Sequence, residues 1–144
     1  MKHLWLGGAA LLVLAGCSSH PPEYEPGPGE LVAGTAEVAV NDQEPETTEA
    51  VQCDSTGPLT TITTGDQRSG VTVMVSNQDE LTAESVNINN VGGFTGSYNA
   101  GVGETAAEVT MTGRTYDITG TADGFDTANP SFRVPGTFAI KVSC

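Results

Sequence analysis

The stretch Thr137-Phe138-Ala139-Ile140-Lys141-Val142-Ser143-Cys144 decides the fold class, because its large apolar side chains fall at every second position. Phe138, Ile140 and Val142 share one side of an extended chain, and Thr137, Ala139, Lys141 and Ser143 the other. That is the pattern of a strand half buried on a core. The same period runs back through the chain. Tyr116, Ile118 and Gly120 oppose Thr115, Asp117, Thr119 and Thr121, and Val109 and Met111 oppose Glu108, Thr110 and Thr112. Phe94, Gly96 and Tyr98 follow a Gly92-Gly93 turn, while Val86 and Ile88 alternate with Ser85, Asn87 and Asn89. Val71, Val73 and Val75 alternate with Thr72 and Met74. Ala36, Val38 and Val40 open the series, Val51 and Cys53 begin another face, and Leu59 to Thr64 is a strand of ambiguous facing. No window offers a long amphipathic helix. The spacing predicts an all-β domain, an antiparallel sandwich or strongly curved sheet of about eight short strands. Asn41 to Thr48 reads as a polar, turn-rich link. Asp123 to Pro135 reads as the one long late connection, with room for a single helical turn.

Working outward to the N-terminus, the pattern stops. Met1-Lys2-His3 is a short basic start, followed by an apolar run from Leu4 to Leu14. That run has the length of a secretory signal core and falls well short of the ~20 residues a membrane span needs. It ends in Leu14-Ala15-Gly16-Cys17. Small residues before a Cys suit a lipoprotein-processing peptidase, and the Cys17 thiol is then the acceptor for diacylglycerol. The expected organisation is a signal peptide over 1–16, a lipidated Cys17 opening a disordered Pro/Glu/Gly tether over 17–33, and a β-domain over 34–144. Pro21, Pro22, Pro26 and Pro28 make the tether extended at ~3.1 Å per residue. It also lacks the apolar surface that ordering would require. Acyl chains contribute ~0.8 kcal/mol per buried methylene, so two or three on one residue anchor a protein stably. Membrane attachment on the extracytoplasmic side of the envelope follows from this reading.

Charge narrows the partners. The 144 residues hold 18 Asp and Glu against 5 Lys and Arg, a formal net charge of −13, and removal of Lys2 with the leader makes it one unit more negative. Such a chain does not bind nucleic acid through its phosphates, and it has no polybasic patch for anionic lipid surfaces.

The cysteines give an arithmetic clue. With Cys17 lipidated, Cys53 and Cys144 remain, and an even remainder in an exported chain reads as one disulfide. Both thiols are expected on core-facing sides of their strands. The other possibility is two free buried thiols. A metal site is less favoured, because His3 leaves with the leader and His20 lies in the tether. The same shortage removes Ser-His-Asp and Cys-His catalysis from the folded part, so no enzyme activity and no cofactor are expected. Asp123, Asp126 and Asn129 form a loose oxygen group whose spacing does not match a calcium loop; turn formation is the simpler role. Gly101-Val102-Gly103 with Ala106 is a fragment of a dinucleotide fingerprint, but no helix follows it, so it reads as a loop between strands. Glu44, Glu46 and Glu49 read as a solvated acidic patch.

The pieces together carry a resemblance. The lipobox at Cys17, Tyr116-Asp117-Ile118-Thr119-Gly120-Thr121-Ala122, Gly124, Asp126, Ala128-Asn129-Pro130 and the ending Phe138-x-Ile140-x-Val142-x-Cys144 resemble the mycobacterial nineteen-kilodalton lipoprotein antigen family (LpqH-like). The resemblance implies an acylated cell-envelope protein without established enzyme activity, Cys17 as the lipidated residue and Cys53–Cys144 as the disulfide. It further implies recognition of the acylated N-terminus by host Toll-like receptor 2. The family's tether is Ser/Thr-rich and mannosylated, whereas this one is Pro/Glu-rich, with only Ser18 and Ser19 before Gly34. Two functional readings remain open. One is an interaction module displayed on the envelope to another protein or a host receptor. The other is a carrier of a lipid or glycolipid in a pocket between sheets, which inward glycines such as Gly96 and Gly120 would favour if they leave space.

Overall fold

The computed structural model describes residues 26–103 and 105–144. The leader, Cys17 and the tether's first residues lie outside the described residues. Ten strands follow in order: β1 (Ala36–Val40), β2 (Glu46–Thr48), β3 (Val51–Thr56), β4 (Leu59–Gly65), β5 (Gly70–Ser76), β6 (Thr82–Val91), β7 (Phe94–Asn99), β8 (Glu108–Thr112), β9 (Thr115–Asp126) and β10 (Val134–Ser143). All pairings are antiparallel, and no helix occurs among the described residues.

The sheet order is β2-β1-β10-β9-β7-β6-β5-β4-β3, with β8 also on β9. The outermost strands, β2 and β3, are consecutive in the chain, and only Glu49 and Ala50 separate them. A sheet whose two edges are joined by so short a link must curl until those edges approach. The result is a nearly closed barrel, the strongly curved form of the expected all-β class. The Ala50 carbonyl accepts from Gly65 N–H at 2.9 Å, which extends the β3–β4 ladder by one rung into this link. On the other side β9 is shared. Its first part, Thr115 to Thr119, pairs with β8, and its second part, Asp123 to Asp126, with β7.

Local sequence makes the hairpins. Val40-Asn41-Asp42-Gln43 turns with φ of 56° and 58° at its two central residues, closed by Gln43 N–H on the Val40 carbonyl. Asn and Asp tolerate that conformation, and a two-residue turn of this hand matches strand twist. Gly92-Gly93 does the same between β6 and β7, with φ of 59° and 76°. Inside, the core takes Ala36, Val38 and Val40 from β1, Val71, Val73 and Val75 from β5, Phe94 and Tyr98 from β7, and Phe138, Ile140 and Val142 from β10. Burying the last three contributes about 5 kcal/mol or more before chain entropy is counted.

Three expectations need correction. There are ten strands rather than about eight, and β2 is one that the polar link concealed. The late connection shrinks to residues 127–133, because β9 and β10 stay paired from Gly124–Val134 onward. It holds no helix but successive turns, with Asn129 N–H on the Asp126 carbonyl and Phe132 N–H on that of Asn129. Met111, expected inward, is 44% exposed, because β8 lies beside β9 outside the main strand order and only Val109 packs against the core.

Candidate functional site

Cys53 and Cys144 form a disulfide with a Cα separation of 6.0 Å. It ties β3, at one edge of the sheet order, to the residue after β10, near the other edge, so it fastens the barrel shut. Cys53 is half-buried against the core, but Cys144 is exposed, contrary to the inward expectation for both thiols. The alternation breaks at Ser143, which is buried because both its backbone groups are used: its N–H donates to Thr35 and its carbonyl accepts from Gly34. Cys144 then leaves the strand, with its N–H on the Arg114 carbonyl at 3.4 Å.

Those bonds locate where the segment before β1 joins the barrel. The Leu31 amide donates to the buried Thr115 hydroxyl at 3.0 Å. Thr35 N–H and its hydroxyl both donate to the Val32 carbonyl. Upstream, Gly27 to Glu30 form a turn in which the Glu30 carboxylate accepts from Gly27 N–H at 3.0 Å. The Glu30 side chain lies over the β8–β9 turn so closely that a Cβ on Gly113 would collide with it. Between this segment and the turn is a surface cleft of about 480 Å³, lined by Leu31, Val32, Ala33, Arg114, Thr115 and Ser143 among others. Nothing in the period-2 pattern announced this corner, because Leu31 and Val32 sit among prolines and glycines.

The interior is filled. Phe94 is fully buried, and a Cβ at Gly136 would meet its ring carbons at 2.6–2.8 Å. At Gly96 the same ring lies 2.7 Å away, and at Gly120 the Phe138 ring lies 2.8 Å away. At these glycines aromatic ring carbons occupy the place a Cβ would take, close approaches that glycine permits; they do not leave space. Tyr98 packs edge-on to Phe138 at 6.3 Å between centroids, and its hydroxyl accepts from Ala107 N–H.

The other polar groups singled out take structural roles. The Asp123 carboxylate pairs with Arg133 at 2.9 Å, both side chains well exposed. Among the described residues no group of three or more His, Cys, Asp or Glu is placed to hold a metal. Gly101 and Gly103, with φ of 79° and 94°, shape the β7–β8 loop. Glu44, Glu46 and Glu49 are exposed around β2. Asp66, not singled out beforehand, accepts from the amides of Arg68 and Ser69. Those two bonds, Ser69 first, hold its carboxyl below the usual value of 3.8. An Asp three residues before a Ser, between Gly65 and Gly70, is the signal that could have found this turn.

Comparison with known proteins fits this arrangement. A protein of Mycobacterium indicus pranii, provisionally named a lipoprotein, is 38% identical over 148 aligned positions covering 100% of both chains. Lipoprotein LpqH of Mycobacterium tuberculosis H37Rv is 33% identical, covering 96% of this chain and 94% of its own. LpqH of Mycobacterium avium is 34% identical over 78% of this chain and 69% of its own. The sequence model described as Mycobacterium 19 kDa lipoprotein antigen matches residues 29–144, which span every strand and the disulfide. The chain belongs to the Mycobacterium 19 kDa lipoprotein antigen family.

Proposed function

We propose that this chain is an acylated lipoprotein that displays a non-enzymatic β-domain on the extracytoplasmic side of the envelope for interaction with other molecules. Family membership carries its lipoprotein character and membrane anchoring in the envelope. The observation behind the finer reading is Cys17 in its lipobox, a short proline-rich segment upstream of the point where Leu31 is pinned to Thr115. On this reading residues 1–16 are removed, Cys17 receives the acyl chains, and the segment over 17–33 spaces the domain over 34–144 from the lipid. The acylated end is the element presented to host Toll-like receptor 2. The carrier reading is weakened by the rings of Phe94 and Phe138, which occupy the positions a ligand would need.

Cys17→Ala tests the anchor. The variant should leave the membrane fraction and the detergent phase for the aqueous phase. If it partitioned with the parent, with its leader cleaved by another peptidase, the assignment would be wrong. The receptor assignment is tested with the same variant, which should fail to activate the receptor. Equal activation by the unacylated variant would refute it.

A further inference from the structure

We propose that the cleft at the tether corner is a docking site for a phospholipid headgroup of the membrane that anchors the chain. Arg114 would take the phosphate, and Leu31 and Val32 would lie against the glycerol and upper acyl region. The proposal rests on the acylation of Cys17 and goes beyond it, because an anchor alone leaves the domain free to tumble.

Three observations point to it. First, chain length places the cleft. If Cys17 sits at the lipid surface, the backbone from there to Pro26 extends no more than about 30 Å, so this corner is the part of the domain held nearest the membrane. Secondly, the charge is right. The described residues contain only four basic side chains, Arg68, Arg114, Arg133 and Lys141. The Arg114 guanidinium is exposed and has no ion-pair partner among the described residues, whereas Arg133 is already paired. Glu30 shares the cleft: one carboxylate oxygen accepts from the Gly27 amide and the other lies over Gly113, so its charge stands beside the phosphate position and keeps the contact weak. Thirdly, the surface is right. Val32 is 51% exposed beside Leu31 and Ala33, an aliphatic strip with a cation at its side, and a guanidinium suits phosphate geometry.

One cation cannot recruit an acidic protein from solution to a membrane, in keeping with the missing polybasic patch. It has no need to. Covalent anchoring makes the contact intramolecular at high effective concentration, so a contact too weak to bind alone is enough to orient the domain. A basic residue near a lipid surface is worth about fivefold in equilibrium.

The test is amide hydrogen exchange on the full acylated chain in vesicles of phosphatidylglycerol, an anionic phospholipid, and in phosphate-free nonionic micelles. Exchange at Leu31 to Ala33 and Gly113 to Thr115 should slow by about fivefold in vesicles relative to micelles, while the strands stay unchanged. Adding glycerol phosphate to the micelles should not reproduce the effect, because the source is the membrane. Arg114→Glu and Val32→Asp should each remove the protection while the protein remains vesicle-bound. Equal exchange in vesicles and micelles with the protein still bound, or protection that survives both substitutions, would overturn the docking site alone. Protection by glycerol phosphate in micelles would reassign it to a soluble phosphate. Failure of the parent to stay with the vesicles would overturn the acylation reading and the docking with it.

Discussion

Replacing Gly136 by Ala should destabilise the domain, and shrinking Phe94 should cancel that effect. The ideal Cβ at Gly136 meets three ring carbons of Phe94 at 2.6, 2.7 and 2.8 Å, and Phe94 is fully buried with no room to withdraw. Overpacking of this kind costs about 1–3 kcal/mol. Phe94→Leu alone loses three side-chain carbons at roughly 0.8 kcal/mol each and opens a small void, so about 2–3 kcal/mol is expected. With Leu at 94 the new methyl enters vacated space. Ala also restricts the unfolded chain, which favours folding by about 0.4–1 kcal/mol where the backbone permits it. Gly136 is not among the residues with positive φ, so it does permit it. The double variant should therefore be no less stable than Phe94→Leu alone, a coupling of about 1–3 kcal/mol. Urea unfolding of the four proteins at constant slope measures it. Additivity within about 0.5 kcal/mol would refute the contact; the interior would then have room, and the carrier reading would regain its footing.

Reducing the disulfide should cost less than the ~4–5 kcal/mol that loop closure gives for a separation of 91 residues, and about 2–4 kcal/mol is expected. Hydrogen exchange at residues 137–143 and across β3 should rise before that of the central strands; unchanged protection would deny the bond its role as a fastener. Asp66 should titrate below 3.8, since its amide bonds favour the ionised form. A lowered folded-state value means the turn is supported at neutral pH and loses that support as pH falls through the lowered value. A side-chain titration followed by NMR checks this, and an Asp66 value at or above 3.8 would contradict it.

The fold was legible wherever a strand buries one face. Val71, Val73 and Val75, or Phe138, Ile140 and Val142, declare themselves because alternate positions see alternate environments. β2 was hidden because Glu46, Thr47 and Thr48 form an edge with no fully buried residue, so no alternation is imposed. The far half of β9 was hidden for another reason. Gly124 reads as a turn residue, yet it is there because β7 passes so close that any Cβ would strike the Thr95 carbonyl and the Gly96 Cα. The disulfide was readable from parity, but its exposure was not, since Cys144 lies past the last ladder pair. The tether corner is carried by backbone groups of Gly34, Thr35 and Ser143, and backbone partners leave no trace in side-chain pattern.

The strand order also dictates a sequence of events in time. From β3 to β7 each strand pairs with the next through a short hairpin or loop, so this meander can assemble while a chain is still being threaded across a membrane. β1 cannot complete its pairing. Its ladder on β10 joins Ala36 to Val142, and non-local pairings of that kind form slowly. The earliest strand to emerge therefore waits for the last one, with one side unpaired and its valines uncovered. An exported chain with this topology has its most vulnerable interval during translocation, before β10 arrives to cover β1.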